Sequence, residues 1–279
     1  MRLYYHLYQP FASATEWAAA HRAAGFGAAD ALLETDASDA VVAAYVEAAR
    51  RANLVIGEVG AWSNPIDPDP VKAAAALDLC RRNLDLAERL GARCCVNIAG
   101  SRNPAKWDGP HADNFSPDTF DLIVQSVRSI VDAVKPRRAA YALETMPWIF
   151  PSSPDEYLAL LRAIDRPGAV AVHLDPVNMI NSPARAYRTT EFLRECFAKL
   201  GPHIRSCHAK DIVLRDHLTV HLDECRPGAG VLDYATYLRE LSRLDPDTTL
   251  RIEHLAAEDY PMAADHLREV AARNNLSFR

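Results

Sequence analysis

No cysteine pair at metal-knuckle spacing, no lysine- and arginine-rich run, no low-complexity tract and no apolar stretch long enough to cross a bilayer occurs in this chain. Each absence closes a class of function. Cys80, Cys94, Cys95, Cys196, Cys207 and Cys225 do not form a zinc-finger or disulfide framework, so they read as reduced, small buried hydrophobes. A formal charge of -6 argues against nucleic acid as a partner, because phosphate backbones demand a basic face. The opening residues lack a basic start, apolar core and small-residue cleavage site, so the expectation is a soluble cytoplasmic protein with no membrane partner. Arg226-Pro227-Gly228-Ala229-Gly230 lacks the lysine of a phosphate loop and the spacing of a dinucleotide fingerprint, and reads as a tight turn.

What the 279 residues do contain is regular alternation. Short apolar runs at 3–8, 28–33, 54–59, 94–98, 140–144, 170–175, 204–208 and 250–253 are each followed by a longer amphipathic segment. Start and stop chemistry agrees with the periodicity: Asp69-Pro70 and Ser116-Pro117 open helices, and Gly91 closes one. Eight such units with no linker point to one α/β domain over residues 1–279, a single (β/α)8 TIM barrel. The stretch from Ile212 to Gly230 reads as an extended excursion before the seventh helix.

In such a barrel the carboxyl ends of the strands carry the chemistry. Four of the runs end on a hard ligand there: Glu144, Asp175, His208 and Glu253. Side chains alternate along a strand, so Ala142, His173, Ser206 and Arg251 share their faces. Three carboxylates and one imidazole form an oxygen-dominated donor set suited to one divalent metal ion, Mn²⁺ ahead of Mg²⁺, Co²⁺ or Zn²⁺. Around it, Asn178, Lys210 and Arg226 are placed to meet substrate oxygens, and Trp107 and Trp148 to stack on the C–H face of a sugar, as do Trp62 and Phe150. His111 belongs to the long loop after the fourth strand. His173 reads as a core histidine or a partner that orients a ligand, and His254 as structural, facing away from Glu253.

Leu143-Glu144-Thr145-Met146-Pro147-Trp148, Leu174-Asp175-Pro176-Val177-Asn178, His208-Ala209-Lys210-Asp211, Arg226-Pro227-Gly228-Ala229-Gly230 and Ile252-Glu253-His254 together resemble the sugar phosphate isomerase/epimerase group of the xylose isomerase-like barrel superfamily. That group includes ketose 3-epimerases, inosose dehydratases and, more distantly, endonuclease IV. The resemblance implies that the four strand-end residues bind one metal, and that Glu144 and Glu253 also exchange protons with the substrate from opposite faces. It departs at Asn178, where those epimerases place a histidine. The implied activity is a metal-dependent isomerase or epimerase acting on a sugar, ketosugar or sugar derivative through an enediolate. The alternatives are a metal-dependent lyase on a keto-inositol or 3-keto sugar, with Lys210 or His111 as acid, and a non-catalytic sugar-binding barrel. A small-molecule carbohydrate is the expected partner, and outer barrel helices offer homo-oligomer contacts.

Overall fold

The computed structural model describes residues 1–279. Parallel strands form a curled sheet: β1 (Arg2–Tyr5), β4 (Glu58–Gly60), β5 (Cys94–Asn97), β6 (Tyr141–Glu144), β7 (Val170–Leu174), β8 (Ile204–Ala209) and β11 (Thr249–Ile252). They are hydrogen-bonded in the order β1-β11-β8-β7-β6-β5-β4. The gap between β4 and β1 is bridged by β2 (Ala28–Ala29) and β3 (Val55–Ile56), which pair in parallel with Ala28 opposite Val55. Gly27 N donates to Leu3 O at 3.3 Å and joins β1 to this pair, so the barrel closes. β3 and β4 are one stave interrupted at Gly57, whose N–H turns to Ala29 O.

Eight helices clothe the staves: α1 (Ala14–Ala23), α2 (Asp39–Arg51), α3 (Pro70–Leu90), α4 (Pro117–Val134), α5 (Pro154–Ile164), α7 (Thr189–Leu200), α8 (Tyr234–Leu241) and α9 (Asp259–Arg273), with a short α6 (Pro183–Ala186) before α7. Their starts follow one local rule. Asp69, Ser116 and Ser153 each accept from a first-turn N–H, and each is followed by a proline whose missing N–H costs nothing at that position. Gly91, at φ 65°, ends α3 in the left-handed conformation. Leu84, Ile130, Leu160, Leu193, Leu238 and Leu267 pack the helices onto the outer sheet face in one continuous core. No helix is long and apolar enough to cross a membrane.

The inside of the barrel has two characters. Cys94, Val96, Ala140, Ala142 and Ala171 form a small apolar cluster separate from the main core. Elsewhere the interior is polar: Asp30, Glu58, His173, Ser206, His208 and Thr249 are all buried. The residues from Ile212 to Gly230 differ from the excursion read in sequence, because they hold an antiparallel hairpin of β9 (Asp211–Arg215) and β10 (His221–Cys225). The six cysteines are free, and all but Cys225 are buried.

Candidate metal centre

Glu144 closes β6, His208 lies inside β8, and Asp175 and Glu253 follow the last residues of β7 and β11. Because neighbouring parallel staves end at one level, the four side chains converge: one ligand atom from each lies within 4.8 Å of every other. His208 Nδ1 is 3.1 Å from Glu144 Oε1, 2.9 Å from Glu253 Oε1 and 3.7 Å from Asp175 Oδ2. The backbone beneath is braced by tyrosines, with Tyr237 donating to His208 O at 2.8 Å and Tyr234 to Lys210 O at 2.6 Å.

Donor chemistry makes this a fit for a hard divalent cation. Asp175 Oδ2 and Glu253 Oε1 are buried acceptors without an aligned hydrogen-bond donor, a costly state unless a positive charge answers them. Lys210, read in sequence as a group meeting substrate, is 1% exposed and does part of this. Its Nζ lies 2.8 Å from Asp175 Oδ2, 2.7 Å from Glu253 Oε1 and 3.6 Å from Glu144 Oε1. Burial pushes the Asp175 carboxyl up, but Lys210 and His208 outweigh it and hold the group far below the usual carboxylate range. Glu253 is held down in the same way, by His208 and Lys210 against burial. Burial disfavours the Lys210 charge, yet Asp175, Glu144 and Glu253 more than restore it, so the amine stays protonated.

Beneath the centre lies a second layer of polar groups, in which His173, Ser206 and Arg251 take the inward positions read from sequence and gather on Glu58, which the sequence reading missed. Glu58 accepts from His173 Nε2 at 2.7 Å and from Ser206 Oγ at 2.5 Å, and its other oxygen is 3.6 Å from His208 Nε2. Nδ1 of His208 faces the cluster and Nε2 faces Glu58 at a separation too long for a hydrogen bond, so the carboxylate acts on the ring through its charge. Arg251 extends this layer, with Nη1 3.3 Å from Glu58 Oε2 and 3.6 Å from Glu253 Oε2, and Nε 3.3 Å from Asp30 Oδ2. Tyr4 donates to Asp30 at 2.8 Å and completes the floor. The signal available was Glu58 itself, a carboxylate one residue from the end of the run at 54–59.

Above the centre opens a cavity of about 500 Å³. Glu144, Glu253, Lys210, Asn178, Trp107 and Trp148 line it, whereas Asp175 and His208 do not. Asn178 donates from Nδ2 to Glu144 Oε1 at 3.1 Å and to Thr145 O at 2.9 Å, so it first of all fixes a carboxylate of the cluster. His111 and Arg226 lie outside the cavity wall. His111 accepts from Asp113 N at the start of a 3-10 turn, and Arg226 Nε is 3.4 Å from Asp259 Oδ1. His254 corrects the sequence reading: its φ of 57° leaves the strand alternation, and its ring lines the cavity 3.2 Å from Glu224 Oε1.

A closed parallel barrel with a buried carboxylate–histidine cluster at the carboxyl ends of four staves defines the class. The chain belongs to the xylose isomerase-like TIM barrel family, whose sequence model matches residues 17–270. None of the curated proteins matches it. Solved structures do. A probable 3-DHS dehydratase from Bacillus anthracis is 17% identical, with 97% of this chain and 99% of that one aligned at a TM-score of 0.71. A 3-keto-D-glucoside 4-epimerase from E. coli is 14% identical over 96% of this chain and 99% of its own, with a TM-score of 0.67. A xylose isomerase-like barrel from Mycobacterium smegmatis in complex with magnesium is 17% identical over 93% and 88%, at 0.65. At these identities the likeness is one of fold.

Proposed function

We propose that the protein is a divalent-metal-dependent isomerase or epimerase that moves a proton at a carbon next to a carbonyl of a sugar, ketosugar or sugar derivative. The observation that carries this reading is the split within the cluster: of its four members only Glu144 and Glu253 also line the cavity. Asp175 and His208 hold; the two glutamates hold and also face the substrate. Glu144, Asp175, His208 and Glu253 are the residues that would bind the ion, with Mn²⁺ preferred and Mg²⁺, Co²⁺ or Zn²⁺ as competitors. When bound, such an ion supplies electrophilic stabilisation of the negative charge that grows on a carbonyl oxygen as the neighbouring proton leaves.

The side chains account for the rest. Glu144 takes or returns the proton through its cavity-facing carboxylate, kept in place by Asn178. Glu253 does the same from the β11 side, with Arg251 3.6 Å from its Oε2. Burial away from bulk water strengthens every charge interaction at the reacting carbon and spares the reorganisation that water would impose. General acid–base transfer of this kind contributes about 10²- to 10⁴-fold to rate.

A lyase is the second reading, and Lys210 is what favours it. Its ammonium reaches the cavity within 2.7 Å of Glu253, where it can give a proton to a departing β-hydroxyl instead of leaving carbon to be reprotonated. The similarity to a probable dehydratase is consistent with that outcome. Incubation with Mn²⁺ and a panel of ketoses, keto-inositols and 3-keto sugars in D₂O separates the readings. Deuterium on carbon in recovered substrate or its epimer supports the isomerase, and a dehydrated product supports the lyase. Binding of Mn²⁺ without exchange or elimination across the panel would leave a non-catalytic sugar-binding barrel.

A further inference from the structure

We propose that the substrate carries a second, uncharged sugar ring, held in a groove outside Trp62 and Trp107. This rests on the reading of the inner cavity as a carbohydrate site. The two spaces share walls: Trp62 and Trp107 line the inner cavity of about 500 Å³ and also an outer, open groove of about 540 Å³ beside α3. Ala75, Ala76 and Leu79 give the groove an apolar side, and Asp67, Lys72 and Arg82 a polar one. Apolar and hydrogen-bonding surface side by side match a pyranose, which presents C–H faces and an equatorial rim of hydroxyls. The reacting ring lies in the inner space, and because Trp62 and Trp107 border both spaces, a group attached to that ring reaches the outer groove past their side chains.

Both indoles keep a face open to solvent. Trp62 folds back against Gly60, where any β-carbon would collide with the indole Nε1, yet it remains 41% exposed. Trp107 is 39% exposed and stands beside Asp108, whose carbonyl accepts from Trp148 Nε1 at 2.7 Å. Large, rotamer-poor rings that face solvent provide stacking surface at low ordering cost.

Charge decides against phosphate as the attached group. Every cation lining the inner cavity already has a carboxylate: Lys210 has Asp175 and Glu253, Arg251 has Asp30 and Glu58, Lys106 has Asp108 at 3.7 Å, and His254 has Glu224 at 3.2 Å. In the outer groove Arg82 pairs with Asp78, and the lining carboxylate Asp67 offsets the exposed Lys72, so no net positive charge awaits a phosphate there. A phosphate at the inner wall would have to break an ion pair and approach carboxylates, whereas a neutral ring meets neither cost.

The test uses the Mn²⁺-loaded protein with trehalose, maltose, cellobiose and sucrose, their constituent monosaccharides, and glucose 6-phosphate. Binding is followed by tryptophan fluorescence, and the contacted rings by saturation-transfer NMR. At least one disaccharide should bind about tenfold more tightly than its better monosaccharide, with saturation on both rings. Ala75→Trp, a groove-filling change at an exposed helix position that borders no part of the inner cavity, should remove that advantage and leave monosaccharide affinity as it was. The proposal is overturned if no disaccharide exceeds its monosaccharides, if glucose 6-phosphate binds more tightly than every disaccharide, or if Ala75→Trp changes nothing. Deuterium exchange keeps the two readings apart. Exchange into ketoses without any disaccharide advantage removes the groove and keeps the isomerase; a disaccharide advantage that Ala75→Trp abolishes, with no exchange anywhere, does the reverse.

Discussion

Glu58 Oε2 stands 3.6 Å from His208 Nε2, on the side of the imidazole turned away from the other three cluster members. A carboxylate in that position, though beyond hydrogen-bond length, raises ligand basicity through its charge, and losing an outer partner of a metal ligand costs about 10- to 100-fold in metal affinity. Glu58→Gln should therefore weaken Mn²⁺ binding by about that factor, measured by calorimetry, with the circular dichroism spectrum unchanged. Unaltered affinity would mean that His208 needs no backing.

Glu144→Gln and Glu253→Gln keep side-chain size but remove the base. Each should lower deuterium exchange by more than about 10²-fold, while His208→Ala acts mainly through metal occupancy. Full exchange in both glutamine variants would take the proton-transfer roles away from these residues.

Lys210 and a divalent cation answer the same oxygens, since Nζ lies 2.8 Å from Asp175 Oδ2 and 2.7 Å from Glu253 Oε1. Removing one partner from a buried charge cluster typically costs about 3–5 kcal/mol. Lys210→Met should lose stability of that order in urea unfolding with chelator present, and saturating Mn²⁺ should recover most of it. An equal loss with and without Mn²⁺ would show that the lysine and the ion do not substitute for one another.

Asp211 is a staple. Its carboxylate accepts from the backbone N–H groups of Ile212, Gly228, Gly230 and Leu232 at 2.9, 2.9, 3.1 and 2.9 Å. Gly230 is required because a β-carbon there would strike that carboxylate. Hydrogen bonds to a charged group contribute about 1.5–3 kcal/mol each, not additively, so Asp211→Ala should cost about 2–4 kcal/mol and speed amide exchange at 228–232. Protection unchanged at those amides would refute the staple.

How much of this was legible in the sequence depends on whether the backbone kept to its regular period. Glu144, Asp175, His208 and Glu253 close uninterrupted runs, so strand alternation placed them, and with them the inward-facing His173, Ser206 and Arg251. Glu58 was missed because its stave breaks at Gly57. Asp30 was missed because β2 is two residues long and gives no alternation to count. His254 was misread because a left-handed residue two positions beyond the end of β11 reverses the expected direction. The β9–β10 hairpin escaped because β10 is largely exposed, so no apolar face marked it. The arginine of Arg226-Pro227-Gly228-Ala229-Gly230 pairs with Asp259 and the segment is tied to Asp211, a tertiary contact that no local spacing encodes.

The claim on which all else rests is that one divalent cation sits among Glu144, Asp175, His208 and Glu253. Anomalous diffraction from crystals grown with Mn²⁺ tests it directly. The account predicts a single strong peak at about 2.0–2.6 Å from one donor atom of each residue, with His208 bound through Nδ1. No peak among these side chains, or a peak held by other residues, would contradict it.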